Sequence, residues 1–529
     1  MTVFSSASVD ATSSGSISES TAAELTAPGS TAPGPLPAHV RVAVVGSGFA
    51  GIGTAVRLLQ EGIEDFVLLE RASTLGGTWR DNTYPGCACD VPSHLYSFSF
   101  APNPEWTHVF SRQPEIRTYL ERTAAEYGVL PYLHCDTDLQ AAQWDDDAQL
   151  WRLQTTRGNL TAQVLVSGCG ALAEPALPNV PGLDSFPGTT FHSARWDHQS
   201  DLSGQRVGVI GTGASAIQFV PFLQQAAAQV TVFQRTPSWV VPRRDRPLTG
   251  VEQRLFRRLP AVQRAARGGV YWARELQLLA FTGKGRLRAL VEKQALAHLA
   301  KQVTDPQLRA ALTPDYRIGC KRVLISNDYF PAIAADNVDL VPYGVTEVRG
   351  STVVAADGSE RELDVLVFAT GFHVMDLPVA QRLTGRTGET LAQHWQDQPV
   401  AAHRGTTVAG FPNLFLLLGP NTALGHSSVV LMIEAQITYV IEALKAMDRH
   451  GAGVLEVRQS QQDHYNVDLQ RQLATTVWSQ GGCNAWYTDD TGHNFTLWPT
   501  HTYTFKKHTE RFDEEAYELR ATRRDLAPV

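Results

Sequence analysis

Three features of the sequence predict an α/β fold built on two similar strand–loop–helix units with a helical insertion. A short apolar stretch, 41–45, runs into Gly46-Ser47-Gly48-Phe49-Ala50-Gly51 and then into 52–60, where apolar residues recur at helical spacing. The pattern returns at 206–210, Gly211-Thr212-Gly213-Ala214-Ser215-Ala216 and a helix through Gln224. A third apolar strand, 363–368, leads into Ala369-Thr370-Gly371. Strands alternating with helices behind glycine-rich turns are the pattern of Rossmann-like parallel sheets.

Along the chain, the first 40 residues contain 28 Ser, Thr, Ala, Gly or Pro and no Lys or Arg. They match neither a basic signal-peptide start nor an Arg-rich transit peptide, and 1–39 are expected to be a disordered tail. In the first unit Gly46 allows the tight turn, Gly48 lets backbone approach a pyrophosphate, and Gly51 lets the helix pack closely. Phe49 and Ala50 complete this loop, and the second strand, 66–69, ends at Glu70-Arg71.

The second unit repeats the spacing with one change. Gly46 to Glu70 is 24 positions and Gly211 to Arg235 is also 24, but the residue facing the adenosine ribose changes sign. A carboxylate accepts hydrogen bonds from ribose hydroxyls, whereas a guanidinium suits a 2'-phosphate through paired, charge-assisted bonds. The first unit is therefore expected to hold FAD and the second NADPH. The alternative for Arg235 is a solvated surface cation.

The rest of the chain divides around these units. Residues 173–197, punctuated by Pro and Gly, are expected to be a linker, and 243–314, rich in Leu, Ala, Arg, Glu and Gln, a helical insertion. A strand at 411–419 and a helix at 429–447 return the chain to the first unit. The expected domains are thus 40–172 with 373–529 for FAD, 173–242 with 315–372 for NADPH, and 243–314 inserted. Two dinucleotide folds in one chain suggest a flavoprotein architecture of the disulfide-reductase-like kind. Beyond about 458 the chain is rich in aromatics, including Trp478, Trp486, Tyr487, Trp498 and Tyr503. Loops over an active site and ordinary core aromatics are both open there.

Composition narrows the partners. A net charge of −8 and a pI near 6.1 give no footprint for nucleic acid or anionic membrane. No apolar run approaches the roughly 18 residues of a membrane-spanning helix. Six cysteines in 529 residues have neither the density of a disulfide scaffold nor zinc-site spacing. A reducing cytoplasm, no metal, and a monomer or weak homo-oligomer are expected.

Two further stretches carry a family resemblance covering roughly 40–505. The segment 186–197, with Phe186, Gly188, His192, Trp196 and Asp197 at the defined positions, and Gly76-Gly77-Thr78-Trp79 through Tyr84-Pro85-Gly86 to Asp90, resemble the fingerprints of the Baeyer–Villiger monooxygenases, within the class B flavoprotein monooxygenases. The resemblance implies that NADPH reduces FAD and that O2 then forms a C4a-peroxyflavin. The peroxide attacks a ketone through a tetrahedral Criegee adduct, giving an ester or lactone. It implies catalytic roles for Arg322, in Gly319-Cys320-Lys321-Arg322-Val323, and Asp90. Arginine suits an anionic intermediate because it stays charged and offers forked donors. Thr78, Trp79, Asp81, Asp90 and Tyr96 are implied beside the flavin, and Ala88 and Cys89 on the nicotinamide side; Thr212, Gly213, Ala214, Ser215, Ala216, Ile217 and Gln218 are implied around the NADPH pyrophosphate, with Thr236 and Lys321 expected beside Arg235 at the 2'-phosphate. Ala423 and Leu424 are candidates for substrate selection. His192 is read as a structural or hinge residue rather than a base, with Trp196 anchoring the linker.

At 481–499 the sequence departs from the cyclic-ketone oxidisers, whose short Trp-containing loop orders over the nicotinamide cofactor; Trp486 is the candidate replacement. The alternatives are an N- or S-hydroxylating monooxygenase, a flavin-dependent disulfide reductase, and a non-catalytic dinucleotide sensor. The second would need a redox-active Cys pair, and Cys87 and Cys89 are one residue apart rather than two.

Overall fold

The computed structural model describes residues 34–282, 285–374 and 378–523. Residues 1–33 of the expected tail lie outside them; Leu36 packs on the core and His39 opens the first strand.

Two sheets organise the chain. The larger has eight strands. At its centre His39–Val45 lies parallel to both Phe66–Leu69 and Gly158–Ser167. The expected unit is present, with the helix Phe49–Gln60 between the first two strands. An antiparallel meander, Leu139–Asp145, Leu150–Thr155 and Gly158–Ser167, widens this sheet. Its alternating polar and apolar residues bury one face, where Trp144 and Trp151 meet edge to face. The strand Leu414–Leu416 returns beside Gly158–Ser167, and the helix Val429–His450 packs behind it with 13 buried residues, enough to make it a core element. The strand is three residues long rather than the expected nine because Asn413 and Leu418, on either side of it, take positive φ, which bends the chain out of extended conformation.

The second sheet is wholly parallel: Val338–Val341, Gln229–Phe233, Arg206–Ile210, Val365–Phe368 and Thr189–His192. The last strand corrects one expectation. Part of 173–197, read as linker, is an edge strand, because Thr189-Thr190-Phe191-His192 extends along Val365–Phe368 and buries Phe191 and His192. The insertion is helical, with Gly250–Arg258, Pro260–Thr282, Arg286–Gln302 and Pro306–Ala311.

The cysteines also depart from expectation. Cys320 and Cys483 form a disulfide across 163 positions, while Cys87, Cys89, Cys135 and Cys169 are free thiols. Counting and local spacing could not pair residues so far apart.

Candidate active site

Each glycine loop divides into positions the protein needs and positions it leaves open. A Cβ on Gly51 would collide with the carbonyl of Gly46, and one on Gly211 would sit 2.5 Å from the Ala369 oxygen. Gly46 and Gly211 also take φ of +93° and +107°, which favours glycine. By contrast a Cβ on Gly48 would meet only ordinary contact at 3.7 Å, and one on Gly213 nothing within 4 Å. Packing does not require glycine at Gly48 and Gly213, and the space beside them is open to a ligand lying against the backbone. Both loops therefore fit a dinucleotide pyrophosphate.

The acid and base ending the second strands are placed differently. Glu70 is buried, accepting from the backbone and hydroxyl of Ser47 (3.0 and 2.6 Å) and from the Ala72 amide (2.9 Å), with Arg80 at 2.8 Å. A carboxylate has about four acceptor positions, so this one braces the loop before any ribose arrives. Arg71 is paired with Glu174. Arg235 is exposed. Lys321 lies near it: burial lowers the Lys321 ammonium pKa, and repulsion from the Arg235 charge lowers it further. Two cations close together suit a dianion. The Thr212 hydroxyl donates to the Thr236 carbonyl at 3.3 Å, joining the second loop to that corner.

The two fingerprints meet on one helix, Ala216–Ala226, which follows the second glycine loop. A Cβ on Gly86 would stand 2.5 Å from Phe222 and 2.7 Å from the Gln218 carbonyl, so glycine lets the first fingerprint press on this helix. Gln218 grips Ala88 from both sides: its Oε1 accepts from the Ala88 amide (3.2 Å) and its Nε2 donates to the Ala88 carbonyl (3.0 Å). Its carboxamide is thus engaged with the first fingerprint rather than turned to the pyrophosphate. Ala214 and Ser215 are accessible at the loop, whereas Ala216 and Ile217 are buried in the helix.

The second fingerprint reaches the same helix. Trp196 packs on Phe191 and Phe219, with centroids 5.0 and 5.2 Å away. Phe186 is buried, Gly188 passes against the Asp364 carbonyl where a Cβ would clash, and Asp197 caps its own turn through Gln199 and Ser200. His192 is buried against Phe372, and burial pushes its imidazole down to about 4, which keeps it neutral.

On the flavin side, Phe49 meets Tyr96 at 5.1 Å, and the Trp79 indole donates to the Tyr96 hydroxyl at 3.1 Å. The Thr78 hydroxyl donates to the Leu172 carbonyl (3.4 Å), and Asp81 accepts from Arg80 (2.8 Å) with Arg195 of the second fingerprint 3.9 Å away. Cys89 is buried, its Sγ accepting from the Val91 amide at 3.4 Å. Burial pushes the Cys87 thiol up to about 12 and raises that of Cys89 as well. Both shifts favour the neutral thiol, the opposite of the lowered pKa of reactive cysteines.

The centre of the site is the pair Arg322 and Asp90. The Arg322 Nε and Nη2 both reach the Asp90 Oδ2, at 2.8 and 2.7 Å. The Asp90 charge holds the Arg322 pKa above its ordinary value despite burial. Burial would raise the Asp90 pKa, but the Arg322 charge and hydrogen bond outweigh it and hold the carboxyl below its usual range.

Two neighbours, Arg243 and Arg274, escaped the sequence reading, and a third, Tyr487, entered it only as one of the C-terminal aromatics. Arg243 and Arg274 feel the Asp90 charge, and burial lowers both guanidinium pKa values. The Tyr487 phenol, pushed up to about 12 by burial, stands beside Arg322. No spacing rule links these residues, which come from three separate segments. Of the substrate candidates, Ala423 is fixed by backbone bonds to Thr496 (3.0 Å) and Trp498 (2.9 Å), and Leu424 is buried among the C-terminal aromatics. Trp478, Tyr487 and Trp498 are core, as the ordinary reading of these aromatics expects, while Trp486 and Tyr503 are 44% and 43% exposed.

Residues 39–261 match the family described as flavin-binding monooxygenase-like. A Baeyer-Villiger monooxygenase of Streptomyces coelicolor is 53% identical over 91% of this chain and 93% of its own, and one of Pseudomonas aeruginosa is 49% identical over 92% and 93%. The crystal structure of OTEMO in complex with FAD and NADP is similar with a TM-score of 0.82 and 26% identity, covering 91% of this chain and 99% of that one. No helix among the described residues is long and apolar enough to cross a membrane.

Proposed function

The chain belongs to the Baeyer–Villiger monooxygenases, and from that membership we propose how its residues divide the work of inserting one oxygen atom of O2 beside a ketone carbonyl, giving an ester or lactone. It is an FAD-containing, NADPH-dependent oxidoreductase. FAD, reduced by NADPH, supplies the activated oxygen; the protein's part is to bind, orient and hold charge.

The observation that carries the proposal is the ion pair of Arg322 with Asp90. Oxygen transfer to a carbonyl develops negative charge on the oxygens around the carbonyl carbon, and fixed donors aimed there lower the barrier. Arg322 is the catalytic residue in this reading, since its guanidinium cannot lose its proton at working pH. Asp90 holds the Nε and Nη2 edge on one oxygen, and so orients the rest of the fork.

The loop at 46–51 and the segment through Tyr96 hold FAD, with 40–172 and 373–529 as its domain. The loop at 211–216 with Arg235, Thr236 and Lys321 holds NADPH, in 173–242 and 315–372. The two fingerprints, both seated on the helix Ala216–Ala226, set the distance between the cofactors. The substrate is a small-molecule ketone, the location is the cytoplasm, where NADPH is kept, and the protein acts as a monomer or weak homo-oligomer. The test is product mass: a ketone should gain one oxygen atom per NADPH. Oxygen gain only by amines or thioethers would turn the assignment to N- or S-hydroxylation.

A further inference from the structure

The segment presenting Arg322 has no regular secondary structure between the helix Pro306–Ala311 and the strand Leu324–Ile325. Its position therefore depends on ties to other elements. The Ile318 amide donates to Glu292 of the insertion at 3.1 Å, and Gly319 passes against Phe281, where a Cβ would clash. Tyr316 accepts at its carbonyl from the Trp239 indole (2.8 Å) and donates its hydroxyl to the Pro237 carbonyl (3.0 Å), and two further ties lead to one place in the C-terminal segment. The Arg317 amide donates to the Gly481 carbonyl at 3.1 Å, and Cys320 is bonded to Cys483. Gly481 lies so close that a Cβ there would be 2.5 Å from the Cys320 Cβ and 2.6 Å from its sulfur.

Four residues beyond Cys483, Tyr487 is 3% exposed and packs in the same apolar cluster as Cys320 and Ile318. The intervening Asn484 and Trp486 face solvent. The chain from 481 to 487 thus crosses the Arg322 segment held by the Arg317–Gly481 hydrogen bond, by the sulfur of Cys320 and by the burial of Ala485 and Tyr487.

We propose that Cys320 and Cys483 are positioning residues for Arg322: joined, they clamp the 481–487 segment and its Tyr487 phenol against the Arg322 segment, and as two thiols they let that segment part from it. This rests on the role given to Arg322 above. The clamp closes when the two thiols give up two electrons and two protons and one S–S bond forms. Hydrogen peroxide, released whenever NADPH is oxidised without oxygen transfer, accepts them: its O–O bond breaks and two waters leave. A dithiol reductant reopens the clamp by exchange through a mixed disulfide, itself becoming a disulfide. In a reducing cytoplasm such a bond is transient. Cys483 is partly exposed, which gives peroxide and reductants a point of entry. The open form leaks peroxide, and the leaked peroxide closes the clamp.

The test uses the full-length flavin-loaded enzyme, one portion treated with hydrogen peroxide and one with dithiothreitol, both desalted and scored by the mass of the Cys320–Cys483 peptide pair. Three readouts follow: ester per NADPH, ketone KM against kcat, and hydrogen exchange of 481–487. The reduced wild type and Cys483→Ala should form on the order of tenfold less ester per NADPH, the scale of loss for a displaced catalytic group. Ketone KM should rise, 481–487 should exchange faster, and flavin content should not change. Cys320→Ala with Cys483→Ala should ignore dithiothreitol.

A merely structural staple would shift the melting temperature and leave the coupling of the folded enzyme unaltered. That result, equal exchange at 481–487 in both forms, or a pair that neither reagent interconverts would overturn the proposal. If exchange differs while neither form makes ester from any ketone, the tether stands and the assigned reaction fails. Because reduced wild type needs no substitution, the outcome does not depend on whether Cys483→Ala folds.

Discussion

Arg322 and Asp90, 232 positions apart in the chain, share one carboxylate oxygen: Nε and Nη2 of the guanidinium lie 2.8 and 2.7 Å from Asp90 Oδ2. This contact joins the end of the flavin-side fingerprint to the segment that follows the helical insertion. Arg322→Ala should keep FAD and still oxidise NADPH, while ester formation falls by about a hundredfold or more, the cost of removing a preorganised donor of this kind. Asp90→Asn should lose less, because the guanidinium stays charged and only its orientation loosens. Product analysis alongside NADPH consumption separates the two, and an ester-forming Arg322→Ala enzyme would remove Arg322 from the mechanism.

Arg235 and Lys321 are close enough that the Arg235 charge adds to burial in lowering the Lys321 pKa. Replacing both with Ala should shift the ratio of kcat/KM from NADPH towards NADH, mainly through a higher KM for NADPH. Unchanged preference would show that neither cation meets the 2'-phosphate.

The glycines give a prediction that separates packing from ligand approach. Gly51→Ala drives a methyl group into the Gly46 carbonyl and should cost flavin and fold together. Gly213→Ala meets no protein atom within 4 Å, so fold, flavin content and melting temperature should hold while the NADPH KM rises. Thermal melting and steady-state kinetics on the two variants check this, and a Gly213→Ala enzyme with unaltered NADPH KM would put the pyrophosphate elsewhere.

His192 supplies a pH dependence of known sign. Burial lowers its pKa from 6.5 to about 4, so between those values the unfolded chain binds a proton that the native one refuses. Its contribution to stability is present above pH 6.5 and is lost as pH falls towards 4. His192→Gln should flatten that limb of the urea-midpoint profile, and equal slopes for the two proteins would mean the imidazole is not held neutral.

Much of this site was legible because its signals are local. The glycine loops, the strands ending at Glu70 and Arg235, and both fingerprints each lie within about thirty consecutive residues, where turn geometry and hydrophobic period act directly. Local signals misled where tertiary pairing decides the outcome. Thr189–His192 looks like linker but gains a partner in Val365–Phe368, and the cysteine count hides a bond between Cys320 and Cys483. Tyr487, Arg243 and Arg274 converge on Asp90 and Arg322 only because three distant segments fold together. The aromatic C-terminal region was ambiguous for the same reason: Trp498 and Trp486 have similar local surroundings, but one is 2% exposed and the other 44%.

The most direct test of the account is oxygen stoichiometry in the purified, FAD-loaded enzyme with NADPH, air and a panel of cyclic, linear and aryl ketones. The account predicts that at least one ketone gains a single oxygen atom, as ester or lactone, for each NADPH consumed, and that Arg322→Ala abolishes this gain while still consuming NADPH. Steady release of hydrogen peroxide with every ketone, and oxygen gain only by amines or thioethers, would contradict it.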